Sequence, residues 1–330
     1  MITERWAIRP DGFLTPASED CLEAAVAAPS VHNTQPWKFR IRGSGIDVYA
    51  DYSRRLDVID PHGRELLISV GAAVLNLRVA ILAHGHQPLL RLLPSVRERN
   101  LVARVTPGPP VQANQTARAL AQAVPRRRTN RRPFADIPVP EHTLDELAAA
   151  AKVEGATLSV ADSIERDWLF GLTIAADRRF RDQPGYWAEL GEWTFPAPER
   201  GDGVPPSAVG PWSALESVPI RDFGLVHPTR QRRTVAFERE PTLVVLRTFG
   251  DGPAAWLRAG QALERVMLTA TVRGLSTTPM TPPLEIPEVR ELLTDHRYGG
   301  TAQAILRVGY GPPTAPTPRR PLWDMLLPPA

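Results

Sequence analysis

The chain has 330 residues but a single cysteine, Cys21, and only two lysines, Lys38 and Lys152. One thiol excludes an intramolecular disulfide and is typical of proteins from a reducing compartment. Arginine supplies nearly all of the positive charge, yet the formal net charge is only +3, which does not by itself predict binding to nucleic acid. With 43% hydrophobic and 23% charged residues, the composition predicts a globular protein that can bury a sizeable core.

Segments that would place the chain in or across a membrane are also lacking. The N-terminus has no apolar run behind a basic start, so no secretory signal is predicted. The most apolar stretch, residues 66–83, is interrupted by Ser69, Asn76 and Arg78, which favours a buried helix over a membrane span. We therefore expect a cytoplasmic protein without a membrane partner.

Two common kinds of site are missing from the sequence. No Gly-x-Gly-x-x-Gly motif follows a predicted strand, so a Rossmann domain for a dinucleotide is not expected. His84 and His86 have no Cys, Asp or Glu partner at ligand spacing, so no metal site is predicted.

A short polar loop is the most informative segment that is present. Residues 28–37 read Ala-Pro-Ser-Val-His-Asn-Thr-Gln-Pro-Trp, and they join a predicted helix to a predicted strand. Pro29 and Pro36 restrict the backbone, so no helix can run through the loop. Ser30, Asn33 and Gln35 offer neutral donors and acceptors, which suit a flat ligand with polar edges. The alternative is a well-capped connector.

A cluster of arginines forms the second landmark, at residues 125–134. In an extended segment alternate side chains face the same way, so Arg127, Thr129 and Arg131 could converge on one phosphate group. A solvated basic face is the alternative. A nucleic-acid patch is the weaker interpretation, because no aromatic residues alternate with the arginines to stack on bases.

An internal similarity links two apolar helices. Gly71 and Gly85 bound one of them, Gly260 and Gly274 bound the other, and the glycines of each pair are 14 residues apart. This spacing indicates either two related halves or a chance likeness between apolar helices.

These segments resemble the FMN-dependent nitroreductase family. Pro-Ser-x-x-Asn-x-Gln-Pro-Trp is similar to the flavin-contacting loop of that family, and His32 with the preceding alanines resembles the actinobacterial Acg branch. Residues 127–131 resemble the phosphate motif, with Arg132 as a competitor for the role of Arg131. Residues 274–281 resemble the turn whose backbone N–H reaches flavin N5, although Thr281-Pro282 replaces the usual acidic residue and glycine. Residues 317–321 resemble the C-terminal segment that returns to the phosphate.

The resemblance implies a set of cofactor contacts and no side-chain acid or base. The N5 contact would come from the backbone near Met280 and Thr281, and FMN would bind once per chain. The implied cofactor residues are Pro29, Ser30, Val31, Asn33, Gln35, Arg127, Thr129, Arg131, Thr278, Pro279, Met280, Arg319 and Arg320.

The implied fold is α+β and nitroreductase-like, with two fused halves that mimic the dimer of the family, so a monomer is expected. Residues 1–120 would form the first half, with the flavin-edge loop at 28–37 and a central helix at 64–85. Residues 121–330 would form the second half. It would contain the phosphate motif at 127–131, a Pro-rich lid insertion at 195–236, a central helix at 253–273 and the basic segment at 317–321.

The implied activity is hydride transfer from NAD(P)H, through flavin N5, to a nitroaromatic or quinone-like acceptor. Such a protein acts on small-molecule redox substrates and needs no nucleic-acid partner. One alternative is a lidded protein that binds or sequesters FMN with little turnover, in which Trp212 or Phe223 lies on the flavin. A weaker alternative is a regulator that binds nucleic acid through the arginines of residues 126–132.

Overall fold

The computed structural model describes residues 14–212, 218–227, 232–294 and 300–328. The fold is α+β, with two antiparallel four-stranded sheets that have the same strand order. The first sheet has the order β1-β2-β4-β3. Its part of the chain runs α1 (Pro16–Val26), β1 (Trp37–Arg42), β2 (Gly45–Ala50), α2 (Arg64–Ala83), β3 (His86–Leu92), β4 (Leu101–Pro110) and α3 (Gln115–Ala123).

The second sheet has the order β5-β6-β8-β7, and its long helix again lies between the second and third strands along the chain. This part runs α4 (Glu141–Val153), β5 (Ala156–Val160), α5 (Ser163–Arg181), α6 (Tyr186–Glu192), β6 (Thr242–Phe249), α7 (Pro253–Val272), β7 (Ser276–Pro279), α8 (Pro282–Glu285), α9 (Pro287–Glu291) and β8 (Gly300–Gly309).

The two long helices, α2 and α7, pack against each other at the centre of the molecule. By length and composition α2 could cross a membrane, but 83% of its apolar window is buried inside the protein. A helix that is apolar all round is expected in the middle of a large core, where neighbours cover every face. The packing of α2 between α1, α3 and α7 therefore accounts for its composition.

The crossing of α2 and α7 depends on two glycines. A Cβ atom on Gly260 would overlap the carbonyl oxygen of Ile68 and lie 2.9 Å from the Cα atom of Gly71. A Cβ atom on Gly71 would overlap the carbonyl oxygen of Leu257. The backbones of the two helices are thus in direct contact at this point, and a side chain on either glycine would push them apart.

A long insertion separates the first two strands of the second sheet. Strands β1 and β2 are joined by a two-residue turn, whereas residues 161–241 lie between β5 and β6. The insertion contains α5, α6 and the Pro-rich segment, by which we mean residues 195–236. Aromatic residues of α6 and of the Pro-rich segment pack in a separate apolar cluster with Leu56 and Ile59 of the first part of the chain. Residues 213–217 and 228–231 of this insertion lie outside the described residues.

The C-terminal segment returns to the first sheet. The N–H of Leu327 donates to the carbonyl of Phe39 in β1 at 2.7 Å, and Met325 is fully buried in the core around α1 and α2. Residues 317–328 therefore pack on the first sheet although they follow the second in sequence.

Several elements differ from the sequence expectation. Prolines at residues 107–110 predict a break, but β4 continues to Pro110, with an irregular register opposite Pro88. The polar residues that precede the arginine cluster form α3, capped by the Asn114 side chain on the N–H of Ala117 at 2.8 Å. The short strand β5 was not expected, because its side chains are mostly exposed and give no apolar alternation.

We predict that Gly260→Ala lowers the free energy of unfolding by about 2–3 kcal/mol, because the new methyl group has no room beside α2. Urea unfolding followed by circular dichroism measures the change. Gly171→Ala in α5 is the matched control, since no atom lies within 4 Å of its Cβ position. There the same substitution should be neutral or stabilise by about 0.5–1 kcal/mol. Equal effects at both positions would contradict the close crossing.

Candidate functional site

The loop between α1 and β1 adopts a strained and tightly bonded conformation. His32, Asn33 and Gln35 all have positive φ angles, at 46°, 57° and 51°. Non-glycine residues rarely adopt this region, and such strain tends to occur at functional sites. Ser30 Oγ accepts a hydrogen bond from the Gln35 N–H at 2.9 Å, and Ser69 Oγ of α2 accepts one from the Val31 N–H at 3.0 Å.

Two amide side chains of this loop bind other segments of the protein. The Asn33 amide donates to the carbonyls of Gly203 at 2.9 Å and Pro318 at 3.1 Å. The Gln35 amide donates to the carbonyl of Gly201 at 2.9 Å, and its oxygen accepts from the Arg320 N–H at 2.9 Å. Gln35 and Arg320 therefore join the loop to the Pro-rich and C-terminal segments, and neither lines a cavity described below.

Four arginines line a small cavity of about 420 Å³, including its open mouth, which we call the arginine pocket. Arg127, Arg128 and Arg131 come from the predicted phosphate motif, and Arg319 comes from the C-terminal segment. Strict alternation would have placed Arg128 on the opposite side from Arg127 and Arg131. The other residues of the wall are Pro29, Ser30, Asn33, Thr129, Gly203, Val204, Ala208 and Thr317.

Arg319 is held by the end of helix α1. Its guanidinium donates to the carbonyls of Val26, Ala27 and Ala28 at 2.9, 3.1 and 3.0 Å and to the Asn33 side-chain oxygen at 3.0 Å. A cation is stabilised at a helix C-terminus, where carbonyl groups lack helical partners. Burial, together with the nearby charges of Arg127 and Arg128, lowers the pKa of Arg319 to about 9.

The charge of Arg127 is only partly balanced. Its Nε atom lies 3.4 Å from an oxygen of Glu264 in α7, and both side chains are buried. In the described part of the chain, Arg127 Nε and Nη1 and both Glu264 oxygens make no hydrogen bond. Burial raises the pKa of Glu264 to about 7, with Arg127 opposing the rise. Four arginines beside one such carboxyl group leave the arginine pocket positive.

A larger cavity of about 830 Å³, including its open mouth, adjoins the arginine pocket and is called the ring cavity here. Apolar side chains supply much of its wall, as they do in small-molecule sites. Helices α2 and α7 contribute Ile68, Ala72, Leu263 and Met267. Both cavities have Pro29, Ser30, Thr129 and Arg131 in their walls, so they adjoin each other at these residues. The rest of the wall comprises Val31, His32, Glu65, Ser69, Ile220, Arg221, Phe223, Pro279, Thr281, Gln303, Ala304 and Ile305.

Arg131, rather than Arg132, faces these cavities. Its guanidinium donates to the carbonyl of Ala208 at 3.0 Å and lies 4.8 Å from the centre of the Phe223 ring. Burial, and then the charge of Arg221, lowers the pKa of Arg131 to about 10. Arg132 is exposed and lines neither cavity.

The Pro-rich segment contacts the loop through Arg221. This arginine forms an ion pair with Glu285 of α8 and donates to His32 Nε2 at 2.9 Å. The ring of Phe223 packs edge-on against His32, with 4.9 Å between the ring centres. Because a guanidinium can only donate, the neutral imidazole carries its proton on Nδ1. Burial and the charges of Arg221 and Arg131 hold the pKa of His32 well below its usual value, so His32 is neutral at pH 7.

Some residues of β7 and the turn after it line the ring cavity, and others are buried in the core. The Met280 side chain is buried in the core and its N–H donates to Ile305 across the sheet at 2.9 Å. The Thr278 hydroxyl donates to the carbonyl of Asn130 at 2.5 Å. Pro279 and Thr281 line the ring cavity, whereas Thr278 and Met280 do not. The Thr281 N–H has no hydrogen-bond partner among the residues that the structure describes, and the next two residues are prolines without an N–H group.

The structure thus brings most of the predicted residues together from distant parts of the chain. Gln35, Thr278, Met280 and Arg320 lie outside the cavity walls. Sequence reasoning missed Glu65, Ser69 and Gln303, which lie on α2 and β8 and share no motif. Glu65 is buried beside Arg64, and burial raises its pKa to about 7. No cluster of three metal-ligating side chains occurs within the described ranges.

Comparisons with known proteins give close relatives but no matching family model. "Putative NAD(P)H nitroreductase Rv3131" of Mycobacterium tuberculosis H37Rv is 34% identical over 307 residues, which cover 91% of this chain and 88% of the relative. "Putative NAD(P)H nitroreductase acg" of the same strain is 32% identical over 323 residues, covering 95% and 96%.

Solved structures that are similar to this chain share less sequence identity with it than the sequence relatives do. A nitroreductase with bound FMN from Desulfitobacterium hafniense is 14% identical, with a TM-score of 0.40 over 62% of this chain and 95% of that one. Family membership therefore rests on the sequence relatives, each above 30% identity over most of its length. The chain belongs to the nitroreductase family, in the branch that contains the mycobacterial acg protein.

Proposed function

We propose that this protein is an NAD(P)H-dependent oxidoreductase that binds one FMN per chain. The observation that carries the proposal is that the arginine pocket adjoins the ring cavity and shares four wall residues with it. A phosphate and a flat ring joined by a flexible linker need a cationic pocket beside an apolar slot. The buried donor atoms of Arg127 that lack partners fit an anion in that pocket.

Each cavity would hold one part of the cofactor. Arg127 would donate hydrogen bonds to the phosphate, and Arg128 and Arg319, whose guanidinium groups already bind carbonyl oxygens, would attract it by their charge. Ser30 and Thr129 would lie where the cavities adjoin. The ring would lie between the apolar side chains of α2 and α7 and the Pro-rich segment. Arg131 would stabilise negative charge on the ring, and the Thr281 N–H would be the donor to N5.

FMN supplies a redox centre that takes hydride from NAD(P)H and passes it to a nitroaromatic or quinone-like acceptor. The protein binds and orients the reactants and excludes water from the ring cavity. His32 is neutral, its Nε2 already accepts from Arg221, and the hydride steps require no side-chain acid or base.

We infer that the two sheets derive from two fused halves that mimic a nitroreductase dimer. The identical strand orders, the equivalent long helices and the contact between Gly71 and Gly260 support this interpretation. The flavin-edge loop belongs to the first half, and the phosphate motif and the N5 turn belong to the second. A chain that already contains both halves needs no partner, and we propose a cytoplasmic monomer.

The alternative function is a protein that binds FMN with little turnover. Ile220, Arg221 and Phe223 of the Pro-rich segment line the ring cavity, so the segment could limit access for a nicotinamide. This alternative predicts the same FMN stoichiometry, and only kinetics separates it from a reductase.

We expect rapid loss of the visible band of oxidised flavin when the FMN-loaded protein is mixed with NADPH or NADH without oxygen. The nicotinamide must reach the ring for this to occur. Stopped-flow absorbance measures the rate. A flavin that is bleached by dithionite but by neither nucleotide would favour the low-turnover alternative.

Arg127→Gln should weaken FMN binding by about 10- to 100-fold, because a charge-assisted hydrogen bond to the phosphate is lost. Quenching of FMN fluorescence gives the dissociation constant. Arg126→Gln is the matched control, since Arg126 donates only to the carbonyl of Gln122 and is absent from the pocket wall. The double variant Arg127→Gln, Glu264→Gln avoids an unpaired buried carboxylate and should show the same weakening. Unchanged affinity in both Arg127 variants would contradict the phosphate assignment.

Light scattering with absorbance detection should give a mass near 36.3 kDa and one FMN per chain. We expect this mass because one polypeptide already contains both halves. We expect one FMN because the chain has one flavin-edge loop and one arginine phosphate motif. A mass near twice this value, or two FMN per chain, would argue against the fused arrangement.

A further inference from the structure

A third cavity of about 1040 Å³, including its open mouth, lies between α5 and the Pro-rich segment. We call it the side cavity. Arg131, Ile220 and Arg221 stand in its wall and also in the wall of the ring cavity. The side cavity therefore adjoins the ring cavity at these three residues.

The side cavity carries an excess of positive charge. Asp177 is paired with Arg181 at 2.5 Å, Asp222 is paired with Arg232 at 2.6 Å, and Arg221 is paired with Glu285. Arg178 has no hydrogen bond or ion pair from its guanidinium to any described residue, although its side chain lies in this wall. Arg131 has no carboxylate partner either. Two uncompensated cations thus face one space.

The same wall offers aromatic surface. Trp212 is 48% exposed and is fixed by two backbone hydrogen bonds, from its N–H to Arg233 and from Val235 to its carbonyl, at 3.0 and 3.1 Å. Phe237 and Ile174 add further apolar area. A cavity with apolar sides and unpaired cations suits an organic anion with a flat or apolar body.

We propose that the side cavity binds the carboxylate end of the electron acceptor, so that this protein prefers aromatic acceptors that carry a negative charge. This inference rests on the proposed function, because it assigns the acceptor ring to the ring cavity. For a nitroaromatic the first reduction consumes one NAD(P)H and one proton and yields the nitroso compound, NAD(P)⁺ and water. The carboxylate takes no part in that step and serves only for binding. Arg178 binds it, and Arg131, which also faces the flavin ring, adds positive charge nearby.

The test compares 4-nitrobenzoate with 4-nitrobenzyl alcohol, which keeps the ring and the nitro group but is neutral. Calorimetric titration of the FMN-loaded protein should show about fivefold or tighter binding of the acid. Arg178→Gln should remove most of that preference. Arg179→Gln is the matched control, because Arg178 and the adjacent Arg179 are both exposed, but Arg179 pairs with Glu288 at 3.6 Å and is absent from the cavity wall.

Three outcomes would overturn the proposal. In the first, the protein binds 4-nitrobenzoate and 4-nitrobenzyl alcohol with equal affinity. In the second, Arg178→Gln and Arg179→Gln change the preference for the acid equally. In the third, Arg178→Gln weakens the binding of NADPH but leaves the affinity for 4-nitrobenzoate unchanged. The last result would assign the cations to the nucleotide. Flavin absorbance is read first, so failure to bind FMN is recognised separately as failure of the proposed function. Titration of FMN-free protein still tests the side cavity, since protein side chains alone form its wall.

Discussion

The contact between Gly71 and Gly260 determines where the candidate site lies. The two longest helices touch there through their backbones, and any side chain would separate them. Ile68 and Ala72 are within one turn of Gly71, and Leu263 is within one turn of Gly260, and all three line the ring cavity. The width of that cavity is thus fixed by the most constrained contact of the core, because packed interiors do not deform continuously. A slot for a flat ring is consistent with such a rigid wall.

A second constraint is electrostatic. Collecting Arg127, Arg128 and Arg319 in one pocket costs free energy, because buried like charges repel and lose solvation. The carbonyl groups at the end of α1 offset part of this cost for Arg319. Glu264 offsets part for Arg127, but with its pKa raised to about 7 it is partly protonated at neutral pH. The pocket is therefore positively charged in the protein itself, which is the arrangement that the proposed phosphate site requires.

The sequence was most informative about features that depend on residues close together in the chain. Pro29 and Pro36 predicted a rigid loop. Alternation in the arginine segment predicted that Arg127, Thr129 and Arg131 converge, and all three line the arginine pocket, although Arg128 lines it as well. The equal glycine spacing left open whether the two long helices are related. It could not predict that Gln35 bonds Gly201 and Arg320, because those partners are 166 and 285 residues away. The choice between Arg131 and Arg132 likewise depends on Ala208 and Phe223, which the chain brings in from the insertion.

The position of the insertion explains how one segment can affect binding without disturbing the core. It replaces what is a two-residue turn in the first sheet, so the strand order stays the same while α5 and the Pro-rich segment are added outside the sheet. Arg221 and Ile220 then stand between two cavities, and a change at either alters both. Arg178 touches only the side cavity. Under the proposed function, substitutions in α5 would change acceptor preference and leave the helix crossing and the arginine pocket unchanged.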